Sequence, residues 1–563
     1  MYRIIVRILL VFVFLAAVSC TQVRLKSGKE ISGRDPSSYT AGYHYTLGVL
    51  SALDGRLDDA IQELETALRH DPLSSHLMKE LASLYVEKGD FRRAVDLCKE
   101  SLVHDPDDAD VHLILGNLYI NMKDYKNAIR SYRKVIEIDP KNTSAYLYLG
   151  TLYAETERYD KAVDMYSLLL KNDHDNVMGT YYMAKVLVEL RRESEAEQYF
   201  KKTLLLKPSL ESALIDLALL YERQKKLEQA VSIYKDFIQR YPEQVGIRLR
   251  LGEFYLRQGN YQAAEAVFRD SLTIDDSNKD VHFTLGLLYY EQQRYDRAIE
   301  AFQKALKLAP SDQKIYYFLA SVYDEQQEND KAMDTYGKVA PDSEWYGNAR
   351  IRMGMLLREE GRIDAAISLI RETLSTEAKA PNLYAYLGSL YQEKAQYPEA
   401  ENLLKEGLKD FPRSEELHYG LGEVYSKMDR FEDSIKEMKR VLEIDPEHAE
   451  ALNFIGYSYA ERGIHLAEAE KLIRQALILK PDNGYILDSM GWVYFKQNRI
   501  EQAIRYLKEA DKRIPDDPTI AEHLGDALRK AGRFQEALDA YRRAQKYAPE
   551  NSQLRQKIEQ LRR

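Results

Sequence analysis

Residues 109–142 read ADVHLILGNLYINMKDYKNAIRSYRKVIEIDPKN. Apolar residues recur at helical spacing on both sides of Lys123-Asp124, which predicts two helices, A and B, joined by a tight turn. Gly116 stands three residues before Tyr119, Ala128 nine residues after it, and Pro140 closes the stretch. The same marks return along the chain. Tyr85, Tyr119 and Tyr153 are 34 residues apart, as are Tyr221, Tyr255, Tyr289 and Tyr323, and then Tyr391, Tyr425 and Tyr459. A small residue precedes each by three, as at Gly150, Gly252, Gly286, Gly388 and Gly422. Ala94, Ala230, Ala298, Ala400 and, once, Ser434 follow by nine. The period also accounts for a composition of 42 Tyr against 15 Phe and 2 Trp.

In phase, repeats begin at 41 and recur every 34 residues through 449. One extra residue near His465 moves the last two starts to 484 and 518. Fifteen repeats cover 41–551, and 552–563 remains as a polar capping helix. Gly fills the close-packing slot of helix A in eleven repeats and Ala in four; the helix B slot is Ala in all but the repeat of Ser434. Small residues at these slots let A and B approach closely. Gly55, Gly89, Gly259, Gly361, Gly463 and Gly532 stand where helix A must end, a place suited to left-handed backbone. Pro72, Pro106, Pro140, Pro242, Pro310, Pro446 and Pro549 end helix B, because Pro drives the preceding residue out of helical geometry. No repeat can bury its apolar face alone, so stability comes from neighbour interfaces.

A 34-residue period with Leu-Gly, Tyr, Ala, aromatic and Pro at these offsets resembles the tetratricopeptide repeat (TPR) family. The resemblance implies an all-α fold, a right-handed α-solenoid of helix-turn-helix repeats. The run Gly456-Tyr457-Ser458-Tyr459-Ala460, with Pro481-Asp482-Asn483-Gly484 and Asp488 to Phe495, resembles a block of bacterial exported TPR proteins, mostly lipid-anchored assembly and secretion factors.

In repeat nine Pro341 arrives three residues early, followed by Asp342-Ser343-Glu344-Trp345, which predicts a short helix B and a weak junction. The expected organisation is a signal peptide at 1–19, a polar tether at 20–40, repeats one to nine at 41–346 and repeats ten to fifteen at 347–551.

The first twenty residues are of another kind. Arg3 and Arg7 precede an apolar run from Ile8 to Val18. Eleven residues are too few to span a bilayer, which takes about 20, so this is a signal peptide. Ala17-Val18-Ser19-Cys20 resembles a lipobox, with Ala17 where Leu is commoner. That resemblance implies acylation of Cys20 and a bacterial envelope location. Thr21, not Asp, favours the outer membrane over the inner, with the protein facing the periplasm. With Cys20 committed to lipid, Cys98 has no disulfide partner; it occupies a helical apolar slot.

Function classes narrow by chemistry. The net charge of −10 grows more negative once Arg3 and Arg7 leave, which argues against nucleic acid as partner. Gly456-x-Ser458-x-Ala460 approximates a nucleophile elbow but lies within a helix, where the motif needs a strand-to-helix turn. Ser131/Lys134 and Ser232/Lys235 lack the further motifs of an acylation site. Asp105 to Asp110 lacks the Gly and closing Glu of a calcium loop, and the eleven His show no metal-ligand spacing. No metal, no cofactor and no enzymatic activity are expected.

In TPR arrays helix A positions 2, 5, 9 and 12 line the concave groove. A carboxylate clamp is missing, since Asn117 is the one Asn at position 9 and Leu113 stands at its position 5. The groove offers aromatics instead: Phe283, Tyr290 and Tyr317 in repeats eight and nine; Tyr419, Tyr457, Tyr485, Trp492 and Phe495 in repeats twelve to fourteen, with Glu416, Glu423, Asp488 and Asp526 nearby. Large rings dominate binding hot spots. Trp492 is the expected centre, at a position where other repeats carry Ser389, Leu287 or Glu253, with few inter-repeat contacts. The expectation is a lipid-anchored scaffold that binds a protein or peptide in its groove, in envelope assembly, secretion or export. A pilus or secretin factor, an exopolysaccharide factor and a carbohydrate-binding solenoid are the alternatives.

Overall fold

A computed structural model describes residues 36–376 and 379–562. The signal segment, Cys20 and residues 21–35 of the tether lie outside the described residues. Among the described residues there are 31 helices and no strand. Thirty of them form fifteen A–B pairs in the phase read from the sequence, and the last stands alone. Helix A of repeat one starts at Pro36, ahead of the expected start at 41.

The described residues divide into two compact bodies, one up to Leu251 and the other from Gly252 on. The division falls within helix A of repeat seven, Val245–Arg257. It is distinct from the local irregularity at Pro341.

In each body the same slots build the core. Ala60, Ala94, Ala128, Ala162, Ala196 and Ala230 in the first, and Ala264, Ala298, Ala332, Ala366, Ala400, Ala469, Ala503 and Ala537 in the second, are fully buried. Ser434, the exception, satisfies its buried hydroxyl by donating to the Gly422 carbonyl at 2.7 Å. Four residues after each small helix B residue comes the side chain that faces the helix A glycine. A Cβ on Gly116 would lie 2.3 Å from the Tyr132 ring, and one on Gly286 2.5 Å from Phe302. That close approach is what excludes larger residues there. Cys98 occupies this slot in repeat two; it is buried, and burial pushes its thiol up to about 12.

The periodic tyrosines sit between repeats, for a reason that needs both ends of the side chain. At Tyr85, Tyr221, Tyr289 and Tyr494 the ring is buried while the hydroxyl donates to a carboxylate on helix B of the preceding repeat. Tyr289 donates to Glu265 at 3.0 Å, and Arg294 lies over the Tyr289 ring at 4.7 Å while binding Glu265 at 2.9 Å. Glu470, Tyr494 and Arg499 repeat this arrangement. Phe would fill the volume and lose the bond.

The six turn glycines have φ between 68° and 84°. In nine other repeats a non-glycine residue holds the same left-handed backbone, among them Lys123, Lys225 and Ala395. Repeat thirteen uses two such residues, Gly463 and His465, where its extra residue lies.

Helix B of repeat nine, Asn329–Gly337, has 9 residues against the 14 of most others, in line with the early Pro341. Packing fills the shortened end. Trp345 lies 5.0 Å from Tyr317 and 5.4 Å from Phe318, Val339 is buried, and Ala340 N–H donates to Gln313 Oε1 at 2.7 Å.

Candidate functional site

Within the second body, helices A of repeats twelve to fifteen run Glu415–Lys427, Ala449–Arg462, Gly484–Lys496 and Pro518–Lys530. All four start at side-chain caps that fix their first turns: Ser414 accepts from Leu417 N–H, His448 from Ala451 N–H, Asn483 from Tyr485 and Ile486 N–H, and Asp517 from Thr519 and Ile520 N–H. Residues of these helices line an open cavity of about 390 Å³. Its rings are Tyr419, Phe454, Tyr457 and Tyr485, and its polar walls include Glu450, Asn453, Asp488, Ser489 and Asp517. Four residues expected from the sequence thus meet at one place: Tyr419, Tyr457, Tyr485 and Asp488. Tyr485 is 56% exposed. Tyr419 and Tyr457 are half-buried, Tyr419 stacked on His448 at 5.4 Å.

Phe454 and Asn453 were not foreseen. Asn453 stands at position 5, where no aromatic draws attention to it. Phe454 stands at position 6, outside the lining set, and reaches the cavity by meeting Tyr419 edge-on at 6.4 Å. The Asn453 Oδ1 is buried without a hydrogen-bond partner.

Burial holds the phenols of Tyr419 and Tyr457 well above their ordinary range. Glu423 and Glu450 add to the effect at Tyr419, and Glu461 and Asp488 at Tyr457. Burial also raises the Glu423 carboxyl. At Glu450 burial acts upward, but the Lys480 hydrogen bond and charge outweigh it and the carboxyl lies below its usual value.

Trp492 corrects the sequence reading. Its ring is 7% exposed and belongs to the core cluster of repeats twelve to fifteen. It is sandwiched between His523 of repeat fifteen at 3.9 Å and Phe495 at 4.8 Å, and its Nε1–H donates to Glu461 of repeat thirteen at 2.7 Å. Three repeats are tied through this one side chain. Asp488 is likewise buried, with both carboxylate oxygens 3.0 Å from His523 Nδ1. Phe495 is half-buried beneath Lys530 at 4.8 Å. Asp526 is engaged by Tyr541 and Lys557.

The rings of repeats eight and nine go elsewhere. Phe283 packs at 5.6 Å on both Phe302 and Phe318, and Tyr317 packs on Trp345 and Tyr336. Tyr290, half-buried near Tyr295, has its phenol pushed up to about 12 by burial, with Glu325 adding to it. None of the three lines the cavity of repeats twelve to fifteen. Among the described residues no group of three or more His, Cys, Asp and Glu could hold a metal ion.

Models of the tetratricopeptide repeat match residues 52–118, 119–185, 215–279, 279–312, 313–340, 357–414, 391–456 and 489–552. The TPR repeat-containing protein PA4667 of Pseudomonas aeruginosa is 44% identical over 73 residues, which are 13% of this chain and 12% of that relative's length. The crystal structure of MamA protein is 23% identical and covers 30% of this chain and 92% of its own, with a TM-score of 0.29. The Cut9–Hcn1 hetero-tetramer of the APC/C is 16% identical and covers 87% and 96%, with a TM-score of 0.36.

Proposed function

Since the chain belongs to the tetratricopeptide repeat family, whose models match more than half of its length, we propose that it is a non-catalytic scaffold for protein–protein interaction. In this reading it is held in the bacterial envelope by lipid on Cys20, faces the periplasm from the outer membrane, and serves assembly, secretion or export. The ring-lined cavity of repeats twelve to fifteen carries the binding half of the proposal. Rings half-exposed around a space of about 390 Å³ offer apolar contact area at low entropic cost, as binding hot spots do. Arg3, Arg7, the apolar run and Cys20 support the envelope half.

Photo-cross-linking in cells tests the binding half. A benzoylphenylalanine in place of Tyr485 is expected to give a discrete protein adduct. The same group in place of exposed Phe534, on helix B of repeat fifteen, is expected to give none. No adduct from position 485 defeats the reading, and retention of a glycan without protein turns it toward carbohydrate binding. For the anchor, Cys20→Ser is expected to move the protein from the membrane pellet to the soluble fraction; pelleting at wild-type yield after a high-salt wash defeats it.

A further inference from the structure

We infer that the cavity of repeats twelve to fifteen receives the cationic side chain, lysine or arginine, of an extended peptide segment. The inference rests on the scaffold reading and specifies the chemistry of what that site holds.

The walls decide the sign of the charge. Glu450, Asp488 and Asp517 bring three carboxylates to the cavity, and none of the residues lining it is Lys, Arg or His. Two of these carboxylates already meet a cationic or ring N–H group from behind: Lys480 binds Glu450, and His523 binds Asp488. Those partners hold the acids in place without entering the lining. An anionic side chain would meet those three carboxylates and the ring faces, which repel it, while the amides and hydroxyls of Asn453, Asn483, Ser489 and Thr519 in the same wall are neutral.

The rings point the same way. Tyr419, Phe454, Tyr457 and Tyr485 present π-faces or edges around one small space, and aromatic faces attract a cation. The molecule uses this contact throughout: Arg294, Arg430 and Arg499 each lie over a tyrosine ring within 4.7 Å. At the cavity the rings are present and the cation is not supplied by the chain.

The third observation is independent of charge. Asn453 lines the cavity, and its Oδ1 is buried with no hydrogen-bond partner. A buried acceptor without a bond is unfavourable, and ammonium or guanidinium N–H groups, which are donors only, suit a wall that carries one. The known TPR device of a clamp for a peptide carboxylate is the electrostatic opposite, and its residues are absent here.

Fluorescein-labelled nonapeptides Ala-Leu-Ala-Ser-Xaa-Ser-Ala-Leu-Ala, with Arg, Lys, norleucine or Glu at Xaa, test the inference by anisotropy against the detergent-solubilised full chain. The Arg and Lys peptides are expected to bind at least about tenfold more tightly than the norleucine and Glu peptides. Asn453→Leu and Tyr485→Leu are expected to reduce that preference while melting curves stay unchanged. Equal binding of the Glu or norleucine peptide overturns the inference. So does an Arg preference untouched by both variants, or no binding by any peptide up to about 1 mM. The two readings fail separately. A protein adduct from position 485 without peptide discrimination keeps the scaffold and removes the cation; discrimination without any adduct does the reverse.

Discussion

Phe283, Tyr317 and Tyr419 occupy the same place, position 5 of helix A, in repeats eight, nine and twelve, and their rings have opposite fates. Phe283 and Tyr317 are locked into ring clusters with Phe302, Phe318, Tyr336 and Trp345. Tyr419 borders a cavity. One contact is shared, because each region sets its position 5 ring against the position 6 ring of the next repeat, Phe283 on Phe318 and Tyr419 on Phe454. The difference lies in helix B. Phe302 and Tyr336 face the glycine or alanine slot in repeats eight and nine, whereas Met438, Ile473 and Leu507 do so in repeats twelve to fourteen. A ring in that slot extends far enough to stack on the position 5 ring; an aliphatic side chain does not. Helix position fixes where a side chain starts, and the partner across the interface fixes whether it is covered.

Trp492 gives the hardest test of this view, since its position is a lining one and its surroundings are core. Trp492→Ala removes the stack on His523 and Phe495 and leaves Glu461 without its indole donor. A loss of about 3–5 kcal/mol in unfolding free energy is expected, the range for large aromatic truncations in cores. Urea denaturation of the purified variant measures it. A change under about 0.5 kcal/mol would restore the sequence reading of Trp492 as an open groove residue.

The helix B contrast can be tested directly at the facing glycines. Gly286→Ala drives a methyl to 2.5 Å from the Phe302 ring, which cannot fold away. Gly422→Ala meets the terminal methyl of Met438 at 2.9 Å, the far end of a flexible chain. The first is expected to cost about 1–3 kcal/mol, as overpacking does, and the second under about 1 kcal/mol. Equal costs would mean that ring and aliphatic slots do not differ in stiffness, and the explanation of the two regions would fail.

His523 supplies a smaller, pH-dependent effect confined to the second region. Burial lowers its pKa, but the charge and hydrogen bond of Asp488 outweigh that, and Glu461 and Asp526 add to the rise. Its folded value therefore lies above the unfolded value of about 6.5. The stability it contributes is fully present below about pH 6.5 and is lost as pH rises through the folded value. The difference in unfolding free energy between wild type and His523→Gln is expected to shrink from pH 6 to pH 9. One proton limits the slope to about 1.4 kcal/mol per pH unit. A difference that is flat or grows with pH contradicts the pairing with Asp488.

The sequence disclosed those parts of the molecule that a single residue type can enforce. Only Gly or Ala tolerates the A–B approach, so Gly286 and Ala298 announce their slots, and Gly89 or Gly532 announces a left-handed turn. Turns held by Lys123 or Ala395 were silent, because there the helix pair imposes the backbone and the residue merely endures it. The cavity was half legible. Tyr419, Tyr457 and Tyr485 followed from position, whereas Phe454 and the burial of Trp492 depend on residues 31 to 35 positions away, Tyr419, Glu461 and His523. A one-repeat reading contains no term for such pairs.

Tyr485 should show the smallest effect, and for that reason it delimits the second region best. Its ring is 56% exposed, so truncation removes little apolar area from the core. The backbone around it is fixed without the ring: Asn483 Oδ1 accepts from Tyr485 N–H at 3.0 Å and Ile486 N–H at 3.2 Å, and Ser489 donates to the Tyr485 carbonyl at 2.9 Å. All three bonds survive in Tyr485→Ala. Alanine is also the better helix former by a few tenths of a kcal/mol. The change in unfolding free energy is therefore expected within about 0.5 kcal/mol of zero, as at ordinary surface sites, measured beside Trp492→Ala in one denaturation series. A loss above about 1.5 kcal/mol would place the Tyr485 ring in the core with Trp492, and the cavity would lose its most accessible wall.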